Sequence, residues 1–170
     1  MDQKAAQREE TPPQVLAIGK ALSRIPSGLF VLTAAHEDRR MGMLVAWVQQ
    51  VCFEPPMIAV AVAKGRPIMP LISESRCFGI CQVADDDKML RRKFRDDPDP
   101  DDDAFLGYDL APSVLGGVPL LRTGLSAMEC ELACHMDVEG DHDLFVGRVH
   151  AALGGDGQPL IRLRDDGFSY

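Results

Sequence analysis

Seven consecutive apolar residues, Met57 to Ala63, stand between Pro55-Pro56 and Lys64-Gly65-Arg66-Pro67. A short apolar run closed on both sides by breakers reads as a strand. With no polar residue in it, the strand is expected to be buried on both faces. Upstream lies Gly42-Met43-Leu44-Val45-Ala46-Trp47-Val48-Gln49-Gln50-Val51-Cys52-Phe53, which is β-rich but partly polar. Residues 42–67 therefore join a mixed β wall to a cationic corner. A bound aromatic ring that carries a phosphate needs that combination.

The rest of the chain supplies more short strands. Leu29 to Ala34 and Met41 to Val48 flank the polar turn His36 to Arg40 and read as a hairpin. Cys77 to Val83 is a fourth strand. Leu125 to Val138 and Leu144 to Leu153 flank the turn Gly140-Asp141-His142-Asp143, and Gln158 to Arg164 and Phe168 to Tyr170 read as terminal strands. Helices are few. Gln14 to Ser23 has an apolar stripe of Val15, Leu16, Ile18, Ala21 and Leu22, ended by Pro26-Ser27-Gly28. Pro67 to Glu74 carries Pro in its first turn, where the missing N–H costs least. Asp85-Asp86-Asp87 opens a helix through Phe94, with Arg91, Arg92 and Lys93 suiting its C-terminus. Strands joined by tight turns favour a mainly β, antiparallel Greek-key barrel with a few short helices over a doubly wound sheet.

At 170 residues with 46% apolar content, one globular domain is the simplest expectation. The net charge of −8 argues against a nucleic-acid partner, because such affinity comes mainly from neutralising phosphates. No run approaches the roughly 20 apolar residues of a membrane span. Met1 to Pro13 lacks the apolar core of a secretory signal, so a soluble, cytoplasmic protein is expected. The spacing of Cys77/Cys81 and Cys130/Cys134 raises a zinc site. On strands, however, positions i and i+4 lie roughly 13 Å apart. Ligands held about 2.0–2.3 Å from one zinc cannot span that distance, so the cysteines read as small buried residues with reduced thiols. Asp96 to Asp103 holds six Asp and two Pro and reads as a solvated loop. Counted from Asp97, its sixth position is Asp102 instead of Gly and its twelfth is Tyr108 instead of Glu, which rules against a calcium loop.

No Gly-x-Gly-x-x-Gly, Walker sequence or Gly-x-Ser-x-Gly elbow is present. A nicotinamide cofactor, if used, must bind without a Rossmann domain. Three features remain that could converge on one site. The strand from Met43 to Trp47 and the polar groups after it could meet the edge of a ring. Lys64-Gly65-Arg66-Pro67 stands at the start of a helix, where backbone N–H groups, the dipole and an arginine fork favour an anion. His142 lies between carboxylates, which favour its charged form. Taken singly, each is also what an ordinary barrel strand, a solvated turn or a surface histidine looks like. His36, His135 and His150 show no such context.

The order of these features is more specific than any one of them. Ile25-Pro26-Ser27-Gly28, Gly42-Met43, Pro55-Pro56, Lys64-x-Arg66, Phe94, Pro119-Leu120-Leu121 and Met128-Glu129-Cys130-Glu131 come in turn. Gly140-Asp141-His142, Phe145-Val146-Gly147-Arg148-Val149 and Arg164-Asp165-Asp166-Gly167-Phe168-Ser169-Tyr170 follow. Together they resemble the flavin reductase-like, FMN-binding split-barrel family over roughly residues 15–170. The likeness is strongest to the reductase domain of diflavin flavoproteins, where Trp47 and Gln50 have matching positions. Residues 1–14 would then be a flexible tail and 15–170 the domain.

The resemblance implies a split β-barrel homodimer with FMN, or alternatively FAD, near the subunit interface. By position, Met43, Leu44, Val45, Ala46 and Trp47 would lie along the flavin and its ribityl chain. Gln50, Val51 and Cys52 would meet the ring edge, and Lys64, Arg66 and Pro67 would mark the phosphate. His142 would stand where nicotinamide can stack. Ala46 and Cys52 replace the Ser or Asn of many relatives, and Gly65-Arg66-Pro67 lacks their hydroxyls, so backbone groups must carry more of the binding. The implied activity is NAD(P)H-dependent flavin reduction, with a monooxygenase or an electron-transfer protein as partner. The alternatives are an FMN-binding electron carrier of the flavoredoxin kind, reduced by a protein partner, and a barrel that binds no flavin.

Overall fold

A computed structural model of the chain describes residues 12–96, 103–165, 167 and 168. In chain order its elements are α1 (Pro13–Leu22), β1 (Phe30–His36), β2 (Arg39–Val45), β3 (Val48–Cys52), β4 (Met57–Ala63), α2 (Ile68–Ser75) and β5 (Cys77–Gln82). Then follow α3 (Lys88–Lys93), β6 (Leu110–Ala111), β7 (Leu120–Leu121), β8 (Ser126–Asp137) and β9 (His142–Gly154). The described residues divide into two compact units, one within 27–161 and the other formed by 12–26 together with described residues of 162–168.

The larger unit is built on one seven-stranded sheet in the order β2-β1-β5-β8-β9-β4-β3. Every pairing in it is antiparallel. Its two terminal strands, β2 and β3, are consecutive in the sequence and joined by Ala46 and Trp47 alone. A two-residue link cannot cross a flat seven-stranded sheet, since strands lie about 4.8 Å apart. The sheet must therefore roll until its ends meet, and because β2 and β3 do not pair, the barrel is split there. This is the antiparallel split barrel the sequence predicts.

Alternation sets the two sides. Leu32, Val45, Val60, Val62, Phe78, Ile80 and Phe145 form the interior cluster, which Ile68, Leu71 and Ile72 of α2 join. Val31, Cys81, Leu90, Phe94, Phe105 and Leu121 form a second cluster, where α3 and the 104–121 segment contribute. β5 is buried along both faces. β4, the strand expected to be doubly buried, is buried on only one: Ile58, Val60 and Val62 face the core, while Met57, Ala59, Ala61 and Ala63 are half-exposed. Alanine made that face apolar in the sequence without requiring a covering layer. α3 is capped as read, with Asp87 accepting from the Leu90 N–H at 2.9 Å.

One further expectation changes, and others fall outside the described residues. Gln158 to Arg164 forms no named strand; it contributes an isolated bridge, Ala84 with Pro159. The acidic loop largely falls at 97–102, and Ser169 and Tyr170 end the chain; these lie outside the described residues, as do residues 1–11. In the smaller unit, the stripe of α1 faces outward, with Leu16 55% and Ile18 47% exposed. Within that unit Gly19 approaches Phe168, whose ring would lie 2.9 Å from an added Cβ, and Arg164 donates to the Leu22 carbonyl at 3.1 Å.

Both cysteine pairs lie on strands, Cys77/Cys81 on β5 and Cys130/Cys134 on β8. Burial pushes the thiols of Cys81 and Cys130 up to about 12 and raises that of Cys77. Since the thiolate is the reactive form, native protein at pH 8 will be labelled by a thiol reagent at exposed Cys134 and half-buried Cys52. Cys77, Cys81 and Cys130 will react only after unfolding. Peptide mapping of labelled protein checks this, and fast native labelling of Cys81 would contradict the packing.

Candidate functional site

The break between β2 and β3 brings two of the predicted site residues, Trp47 and His142, together. Trp47 leaves β2 in the two-residue link, and its carbonyl accepts from the Ala61 N–H of β4 at 3.0 Å. Ala63, two residues on, pairs with His142, the first residue of β9. The Trp47 and His142 rings consequently meet, with centroids 4.8 Å apart and planes tilted by 47°. His142 is a buried strand residue, not the turn residue its sequence context suggests. Its Nδ1 lies 2.7 Å from Asp141 Oδ1, and that hydrogen bond and charge hold the Asp141 carboxyl below its ordinary range. Trp47 remains 37% exposed, so the pair presents an aromatic surface to solvent.

β3 is the terminal strand, and among the described residues no strand pairs with its outer edge. Gln50 pairs with Ile58 and Cys52 with Met57, which leaves Val51 as a bulge. A bulge frees one residue from the ladder and re-aims the side chains beside it. The Gln50 amide donates to the Cys52 carbonyl at 3.3 Å, and the Cys52 thiol donates to the Glu54 carbonyl at 3.5 Å. Val51 is 52% and Phe53 87% exposed. An open strand edge with apolar flanks beside Trp47 fits a planar ring with a polar rim.

The upstream residues are placed differently from one another. Val45 is buried in the interior and Met43 packs half-buried against it. Leu44 packs on the second cluster, and its N–H donates to the Phe94 carbonyl at 3.0 Å. Ala46 is half-buried in the link. At the corner, Gly65 adopts φ 81° and an added Cβ there would meet nothing within 4 Å. Pro67 caps α2 at φ −66°, and the Arg66 carbonyl accepts from the Met69 N–H at 3.1 Å.

Lys64 is engaged by groups the sequence reading left out. Its Nζ donates to Asp137 Oδ1 at 2.7 Å and lies 3.7 Å from Asp143 Oδ1. The bond to Asp137 holds the ammonium above its usual range and the Asp137 carboxyl below its own. Asp143 is buried, and its Oδ2 lies 2.8 Å from His135 Nε2. The His135 ring stacks on Phe145 at 4.3 Å, so that histidine does have a carboxylate partner, as do His150 with Glu131 and His36 with Glu74. The β8–β9 register would have placed His135 two positions from Asp143, but that register is not written in either strand alone.

Residues 22–166 match the family described as Flavin reductase like domain. The chain belongs to that family. It is 33% identical over 131 residues to Diflavin flavoprotein A 1 of Synechocystis sp., a match spanning 76% of this chain and 22% of that protein. The chain thus corresponds to under a quarter of that relative's length. Among solved structures it resembles the flavin reductase component of a bacterial two-component tryptophan halogenase, at 27% identity and TM-score 0.74, covering 83% of this chain and 88% of that one. The styrene monooxygenase flavin reductase of Pseudomonas putida is similar at 26% identity and TM-score 0.69, with 84% and 90% covered. The NADH:FAD oxidoreductase of Streptomyces globisporus shares the fold at 21% identity and TM-score 0.78, over 91% of both chains.

Proposed function

We propose that the chain is a flavin reductase that uses NADH or NADPH. The contact between Trp47 and His142 beside the open edge of β3 is the observation that carries this reading. A flavin held here would supply the redox chemistry, taking up hydride equivalents from the nicotinamide. The chain's own part is binding and orientation. Backbone groups of the bulged segment Gln50, Val51 and Cys52 would hold the polar rim of the ring and would favour negative charge there. Met43, Leu44, Val45 and Ala46 would lie along the same side, and Trp47 would give the aromatic wall. Arg66 and the start of α2 at Pro67 would take the phosphate end; Lys64 stands in the same turn, but its ammonium is given to Asp137. His142, held by Asp141, positions nicotinamide and forms no bond to it.

FMN is the proposed flavin, with FAD as the alternative, and residues 15–170 are the proposed binding domain. A cytoplasmic homodimer fits the reading, as does handing reduced flavin to a monooxygenase or electrons to an acceptor protein. Related reductase components serve a halogenase and a styrene monooxygenase.

Anaerobic stopped-flow tests the proposal. Protein loaded with FMN or FAD should lose its absorbance near the flavin's visible maximum within seconds of mixing with NADH or NADPH. Bound flavin that stays oxidised overturns the reductase reading in favour of an electron carrier, and failure to bind either flavin overturns both.

A further inference from the structure

We propose that Lys64 is a positioning residue: its ammonium bridges the two carboxylates that close the β8–β9 hairpin and so holds His142 against Trp47, instead of binding the flavin phosphate. The assignment rests on the reading of Trp47 and His142 as the nicotinamide-side wall. Asp137 and Asp143 stand directly opposite each other in the β8–β9 register. Like charges at opposed positions push strands apart. The side chain of Asp143 is only 9% exposed, and its Oδ1 has no hydrogen-bond partner. His135 meets the other oxygen, Oδ2, but Oδ1 of this buried carboxylate is left to be compensated by a nearby cation. Lys64 supplies it, 2.7 Å from Asp137 and 3.7 Å from Asp143.

The backbone of Lys64 adds a second tie, since its N–H donates to the Asp141 carbonyl at 2.9 Å. One residue therefore fastens the end of β4 to both sides of the turn 138–141. The next residue after the bonded carbonyl is His142, opposite Ala63. Trp47 hangs from the same strand through Ala61. Both rings take their positions from the last residues of β4, and Lys64 fixes the one that arrives on a hairpin end. An ammonium shared by two carboxylates has little charge left to offer a phosphate.

The chain has a single tryptophan, so intrinsic fluorescence reports on Trp47 directly. In Lys64→Met, acrylamide quenching of Trp47 should rise in the absence of any ligand. The KM for NADH should rise about 10-fold while the Kd for FMN stays within about threefold of wild type. Lys64→Arg should restore both readouts. Lys64→Met combined with Asp137→Asn, which removes one of the two facing anions and with it their mutual repulsion, should recover most of the loss, and it remains informative if Lys64→Met alone does not fold. A Kd for FMN that rises about 10-fold with unchanged Trp47 quenching assigns Lys64 to the phosphate and overturns the proposal. So does a double variant no better than Lys64→Met. If wild-type protein is not reduced by NADH, the reductase reading fails, yet the quenching of Trp47 still decides the role of Lys64.

Discussion

Replacing Glu129 by Ala should lower folding stability by about 2–4 kcal/mol, measured as a shift in the urea midpoint at constant slope. Glu129 is fully buried on β8. Its carboxylate accepts from the Ser113 hydroxyl, from the Val114 N–H at 2.8 Å and from the Leu115 N–H at 3.1 Å. Ser113 Oγ in turn accepts from Gly116, Gly117 and Val118 at 3.2, 2.8 and 3.2 Å. One carboxylate thereby organises the loop that leads into β7 and lets Val118 and Leu120 cover the second cluster. Alanine would leave the Ser113, Val114 and Leu115 donors without their shared acceptor and loosen that cover; an orphaned buried donor costs about 1–3 kcal/mol, and the half-exposed ones here regain part of that from water. Glu129→Gln keeps one acceptor oxygen but points an N–H₂ at other donors, so it should fall between wild type and Ala. A loss below about 1 kcal/mol in Glu129→Ala would mean that the loop is held by something else.

Glu129 also shows where sequence reading stops. It lies in the quoted motif Met128-Glu129-Cys130-Glu131, but nothing local separates it from Glu131, which is exposed. The difference arises from the register shift between Glu129 and Cys130, which puts two consecutive residues into buried positions. A bulge of this kind depends on the partner strand. Val51 on β3 is the same case: the family pattern marks it for the proposed ring edge, while its place in a bulge depends on pairing with β4 and is not written in the strand itself. What local chemistry fixes was legible. Met57 to Ala63 is a strand between its breakers, and Asp87 caps its helix. Lys64 marks the middle ground. Its charge and its corner were visible, but its partners Asp137 and Asp143 lie more than 70 residues downstream and reach it only through the β4–β9–β8 pairings.

Trp47→Ala should reduce kcat/KM for NADH-dependent flavin reduction about 100-fold, or ~2.7 kcal/mol of transition-state stabilisation. Trp47 is the one large aromatic side chain at the link between β2 and β3, and its loss removes both the wall beside the open edge and the surface that keeps His142 in place. Trp47→Phe keeps a ring there and should lose less than about 10-fold. His142→Ala should act mainly on NADH, raising its KM about 10-fold, because its proposed task is to position nicotinamide and not to transfer a proton or form a bond. The contact between the rings predicts non-additivity. The double variant should fall short of the summed single losses by about 0.5–1.5 kcal/mol, the coupling usual for paired rings. His142→Ala with unchanged hydride-transfer rate and unchanged NADH affinity would remove His142 from the mechanism. Strict additivity would mean that the two rings touch without sharing a task, and Trp47 would then serve the flavin alone.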